Sequence, residues 1–211
     1  MKLATFWELI ENVKDSETAA RDIQEILRVL PSEELVSFRW HFENLFLIAQ
    51  RMSLFQAAYL LIGHCNEEIF NDFVSSLITK GKNTFEEALN DPDSIVKYCD
   101  DSNVTDDVVR YLPEWIYKEN FDQRLPDSFW NAPGKYPASE IREFPVDENW
   151  DFDNESENRK HLPKLSEIYY GNDRLNLHDH GITIITLVNH HVHTLKKTYV
   201  VSEVRKIPPA A

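Results

Sequence analysis

Ten residues from Ser53 to Ile62, S-L-F-Q-A-A-Y-L-L-I, followed by Gly63, constrain this chain more than any other stretch. They are apolar nearly all round, whereas a helix at a protein surface carries one apolar stripe and a polar back. The run is also well short of the ~18 apolar residues that a membrane span needs. It therefore predicts a central helix wrapped by other helices, with Gly63 as a left-handed terminus.

The flanking sequence supplies the wrapping. From residue 5 to about 120, apolar residues recur at spacings of three and four, with start and stop signals between them. Thr5-Phe-Trp-Glu8 reads as a capping box for a helix with Phe6, Leu9, Ile10 and Val13 on its inner side. A second helix spans Glu17 to Leu30, and Pro31-Ser32 starts a third, on which Trp40 and Phe46 widen the apolar surface to two sides. Asn66 is placed as the N-cap of a helix carrying Ile69, Phe70, Phe73, Leu77 and Ile78, ended by Gly81. Thr84-Phe-Glu-Glu87 reads as another capping box, and Pro92 suits the first turn of a helix through Tyr98. Thr105 to Asn120 makes one more helix, interrupted or bent at Pro113.

Four prolines, Pro126, Pro133, Pro137 and Pro145, then break up a stretch that holds Phe121, Phe129, Trp130 and Tyr136. Rings of that size are costly to leave in water, so the segment is expected to wrap onto the helical body. Helical character returns from about Glu155 to Tyr170, with Pro163 inside it. After Gly171, G-I-T-I-I-T-L-V and T-Y-V-V-S-E-V-R-K-I are rich in β-branched residues and suit a β-hairpin. The expected architecture is mainly α: a compact multi-helix domain over 1–170, followed by a histidine-containing tail over 171–211.

Charge narrows the classes of partner. With 22 basic and 36 acidic residues, the net charge of -14 repels phosphate backbones and anionic membrane surfaces and draws in cations. Neither nucleic acid nor a membrane is an expected partner; a basic protein is. Residues 143 to 157 hold seven acids and no base. Within this stretch Asp147, Glu148, Trp150, Asp151, Asp153 and Glu155 are the candidate partner-binding residues, the rival reading being a solvated acidic face. Cys65 and Cys99, the only cysteines, form no C-x-x-C pair, and the first turns carry glutamates rather than an apolar leader. Both features place the chain in the cytoplasm.

Two constellations point instead to chemistry. In an extended strand residues two apart share a face, so His178 with His180 and His191 with His193 present imidazoles at a spacing that suits zinc, nickel, copper or iron. A solvated tail that binds metal weakly accounts for the same cluster. Cys65 precedes a helix N-cap, where a thiol is activated, and His64 adjoins it, giving a nucleophile and base pair on paper. A small buried hydrophobe is the competing reading of that cysteine. Phosphate-cradling glycine loops, G-x-S-x-G and H-E-x-x-H are all missing.

Several segments together resemble a known family: F-W-E-L-I-E, then L-V-S-F-R-W-H-F-E-N-L-F, then A-A-Y-L-L-I-G-H-C-N-E-E-I-F-N-D-F-V-S-S-L-I-T-K-G-K-N-T-F-E-E-A-L-N-D-P-D-S. They are similar to the bacterial family called domain of unknown function 4240, over roughly residues 4–170. The stretch W-D-F-D-N-E-S-E-N-R-K-H-L-P-K-L, Trp150 to Leu165, looks like that family's closing element. The resemblance implies a compact, mainly helical fold and no established activity, and the histidine tail departs from it. Charge and the missing catalytic motifs favour a non-catalytic protein-binding module, with an immunity-type inhibitor of a basic partner as its concrete form and no cofactor. The alternative is an enzyme of unspecified substrate that depends on a divalent transition metal or on Cys65. Oligomeric state is left open.

Overall fold

In the computed structural model, which describes residues 1–16, 18–98, 108–126 and 144–171, nine α-helices and one 3-10 helix follow one another. They are α1 (Leu3–Val13), α2 (Ala19–Arg28), α3 (Ser32–Ile48), α4 (Met52–Ile62), α5 (Glu67–Thr79), α6 (Lys82–Asn90), the 3-10 helix (Pro92–Tyr98), α7 (Val108–Phe121), α8 (Glu155–His161) and α9 (Pro163–Gly171). No strand occurs among the described residues, and the mainly α, compact architecture forms as expected. The hairpin expected in the tail lies outside them, as do Phe129, Trp130 and Tyr136 of the proline-aromatic stretch.

Helix α4 is the centre. Every residue from Ser53 to Leu61 is buried, and α5, the 3-10 helix and α9 pack around it. Gly63 ends it at φ 89°, a conformation that side-chain-bearing residues rarely adopt. Together α3 and α4 form a bent pair with an angle of 87° between them, and no single helix among the described residues is long and apolar enough to cross a membrane. The second half of the core joins α1 to α3 through Phe6, whose ring lies 4.8 Å from Phe38 and 6.3 Å from Phe42. Helix α7 closes that half against α2 and α3 and runs through Pro113 without interruption.

One charged cluster is sealed into the α3–α7 contact. Glu43 accepts hydrogen bonds from Arg110 Nε at 2.8 Å and Nη2 at 3.3 Å, and from Arg39 Nη1. Arg39 is 3% exposed, and the Arg110 guanidinium lies over the Phe46 ring. Burial pushes the Glu43 carboxyl up, but the two guanidiniums outweigh it and hold it below the ordinary carboxylate value.

Helix starts are where the sequence reading and the structure part. Asn66 caps α5 as expected, its side chain accepting the Ile69 N–H at 2.8 Å. Neither capping box caps anything: Thr5 and Thr84 both lie inside their helices. Helix α1 starts at Leu3 because the Met1 carbonyl is held by Ser37 and His41 of α3, both at 3.0 Å. Helix α6 starts at Lys82, whose N–H donates to Glu11 Oε1 of α1 at 2.9 Å. Lys14, and after it the Lys82 N–H, hold the Glu11 carboxyl below its usual value despite partial desolvation. Gly81 makes this possible, since it has φ 98° and a Cβ there would lie 2.6 Å from Glu11 Oε1. Pro163 also differs from expectation, because it starts a new helix rather than lying inside one.

Candidate functional site

The closing segment, residues 144–171, is fastened across the start of α4. That start needs help, since Arg51 occupies the N-cap position without a capping side chain and puts a positive charge where the helix dipole disfavours one. Asp147 answers both needs. Its Oδ2 accepts the Met52 N–H at 2.8 Å, and its Oδ1 accepts the Ser53 N–H at 3.2 Å and the Ser53 hydroxyl at 2.7 Å. Arg51 Nε lies 3.7 Å from the same carboxylate, while its other nitrogens donate to the Leu89 and Pro145 carbonyls.

Further along, Trp150 stacks on His161 with ring centroids 4.3 Å apart and planes 8° off parallel. The Trp150 indole N–H donates to Asn158 Oδ1 at 2.8 Å, and the buried Asn158 amide donates in turn to the Phe152 carbonyl and to Tyr170 Oη. Phe152 packs edge-on against Tyr59 of α4 at 5.2 Å. The segment is thus clamped by an aspartate, two aromatic rings and a buried amide.

Of the six residues singled out from the sequence, Asp147 and Trp150 serve this clamp, although Asp147 is itself exposed. Glu148, Asp151, Asp153 and Glu155 stay exposed. Glu148 lies 3.1 Å from His161 Nδ1, Glu155 accepts from Arg159 at 2.7 Å, and Asp151 accepts the Asp153 N–H at 3.3 Å. Val146 stands beside them, 90% exposed. A cavity of about 190 Å³ lies between this segment and the turn that links α6 to the 3-10 helix. Arg51, Asp91 and His161 line it; neither Arg51 nor His161 stands out as a site residue in the sequence, and for Arg51 a lone base beginning an otherwise apolar helix was the available signal, because it calls for an acid from elsewhere.

Cys65 and His64 part company. His64 is exposed, whereas Cys65 is 4% exposed, its Sγ donates to the Asn66 carbonyl at 3.6 Å, and burial pushes its thiol up to about 12. At neutral pH such a thiol is a protonated core group rather than a nucleophile. In a Cys99→Ser variant, a thiol reagent at about pH 8 is expected to label Cys65 at least 100-fold more slowly in the native protein than in denaturant. Comparable rates in the two states would refute that placement. His178, His180, His191 and His193 lie outside the described residues, among which no group of three or more His, Cys, Asp or Glu is placed to hold a metal ion.

Comparison with known families gives one match. The family described as "protein of unknown function (DUF4240)" matches residues 1–119, more than half of the chain. No curated protein and no solved structure matches it. The matched stretch runs from α1 almost to the end of α7, so it includes Arg51 and Asp91 but stops short of the closing element expected at Trp150 to Leu165. With its central α4 and the helices wrapped on it inside the match, the chain belongs to the DUF4240 family of proteins of unknown function.

Proposed function

We propose that this protein is a non-catalytic binding module that presents an acidic face to a basic protein. The observation that carries this reading is the division of labour in the closing segment. Asp147, Trp150 and Phe152 fasten it to the body, while Glu148, Asp151, Asp153 and Glu155 remain exposed. Acids held on an ordered support lose little freedom on binding, and their field speeds encounter with a cationic surface. An immunity-type inhibitor of a basic toxin is the concrete form of this function. The buried, protonated Cys65 gives a thiol enzyme no comparable support.

The test pairs two charge-matched triple variants. One carries Asp151→Asn, Asp153→Asn and Glu155→Gln; the control carries Glu8→Gln, Glu33→Gln and Glu167→Gln, all at exposed positions. A partner captured by the wild type is purified and its affinity measured by calorimetry. The expected partner is basic, loses roughly tenfold or more in affinity with the first variant and little with the control, and binds more weakly as salt rises from about 50 to about 200 mM. Equal affinity for both variants, or failure to retain any basic protein, would overturn the proposal.

A further inference from the structure

We infer that the cavity beside Trp150 is a socket for one lysine or arginine side chain of a basic protein, an inference that rests on the acidic-face reading and gives it an anchor. Size comes first. At about 190 Å³ the cavity falls below the ~300–1,000 Å³ of small-molecule sites and suits a single long side chain. Its walls suit such a side chain as well. Pro92 and Val146 offer apolar contact for a methylene stem, and Trp150, held by Asn158 and stacked on His161, forms a fixed aromatic wall.

Charge decides the sign of the occupant. Asp91 and Glu148 line the cavity and are exposed, so their carboxylates are accessible to an incoming group. The one guanidinium in the lining, Arg51, is already committed to the Leu89 and Pro145 carbonyls and faces Asp147 at 3.7 Å. His161 sits between Glu148 at 3.1 Å and Glu157 at 3.5 Å. Two carboxylates thus line the cavity, and Asp147 and Glu157, the latter shared with Lys160 at 3.5 Å, stand behind its one guanidinium and one imidazole, which favours a cation over a carboxylate or phosphate. An arginine or lysine entering a preformed, aromatic-walled recess is also the kind of anchor that concentrates interface energy. Val146, 90% exposed beside the recess, gives the partner an apolar contact next to that anchor.

The test titrates the full chain with N-acetyl-arginine amide and N-acetyl-lysine amide, followed by the NMR resonance of the Trp150 indole N–H, which is assigned by its loss in Trp150→Phe. A saturable shift with a dissociation constant in the millimolar range is expected from at least one of them. It should weaken roughly fivefold or more in the Asp91→Asn, Glu148→Gln variant. N-acetyl-norleucine amide has a similar stem without the charge and should give no saturable shift. No response to either cation, an equal response in the variant, or the same response to the norleucine amide would overturn the socket. Because the variant that tests the acidic face leaves Asp91 and Glu148 intact, the two ideas fail separately. A partner lost with the 151, 153 and 155 variant, yet retained by Asp91→Asn, Glu148→Gln, sinks the socket alone.

Discussion

Replacing Glu43 with alanine is expected to destabilise the fold by about 3–5 kcal/mol, because it strands the buried Arg39 and the largely buried Arg110 without their shared carboxylate. The size of the effect comes from the charges left behind rather than from the bonds lost. Removing Arg110 as well should therefore recover part of the loss, so the double variant is expected to be more stable than the sum of the single effects implies. Urea unfolding followed by circular dichroism measures both, and a single-variant loss under about 1 kcal/mol would show that the cluster is solvated in solution. The pH dependence has a definite sign. The folded-state Glu43 carboxyl lies below its ordinary value, so its contribution is present above the ordinary carboxylate range and disappears as pH falls through the lowered folded value. Acidification should accordingly cost wild type more than Glu43→Ala.

Asp93→Ala carries the second large expectation, a loss of about 2–4 kcal/mol. Asp93 is 3% exposed and accepts the Lys164 and Leu165 N–H groups, each at 3.0 Å. Those are the only donors at the start of α9 that need a partner, since Pro163 has no N–H and the Ser166 N–H already reaches the Leu162 carbonyl. Alanine leaves both N–H groups unsatisfied and loosens Leu165 and Tyr169, which are buried residues of α9. A fall in melting temperature of about 5–15 °C is expected, with Asp93→Asn in between because it keeps one acceptor oxygen. An asparagine variant as unstable as the alanine variant would assign the effect to charge rather than to capping.

Both residues show where the sequence is legible. Helices α1 to α7 could be read because their inward residues repeat at helical spacing, and local signals worked where the partner is local, as for Asn66 and for Gly63 at φ 89°. The capping boxes failed because Thr5 and Thr84 satisfy a four-residue pattern while the actual anchors, α3 for α1 and Glu11 for α6, come from other helices. The candidate site was half legible. A run of acids near a tryptophan marked the segment, but no local rule separates Asp147, whose carboxylate caps α4, from Asp151, whose carboxylate accepts only the nearby Asp153 N–H. Nor does Arg51 announce the carbonyls of Leu89 and Pro145 that hold it.

The cap on α4 also sets an order of events during synthesis. Its carboxylate lies 95 residues after Met52 and 94 after Ser53, so the first turn of the most buried helix leaves the ribosome long before its partner exists. At ~5–20 residues per second, the gap lasts roughly 5–20 s. Throughout that interval Arg51 lacks Asp147, and the rings that cover Tyr59 have not been translated. The nascent chain is therefore most open to misassembly after its family-defining helices are complete and before the closing segment, residues 144–171, arrives.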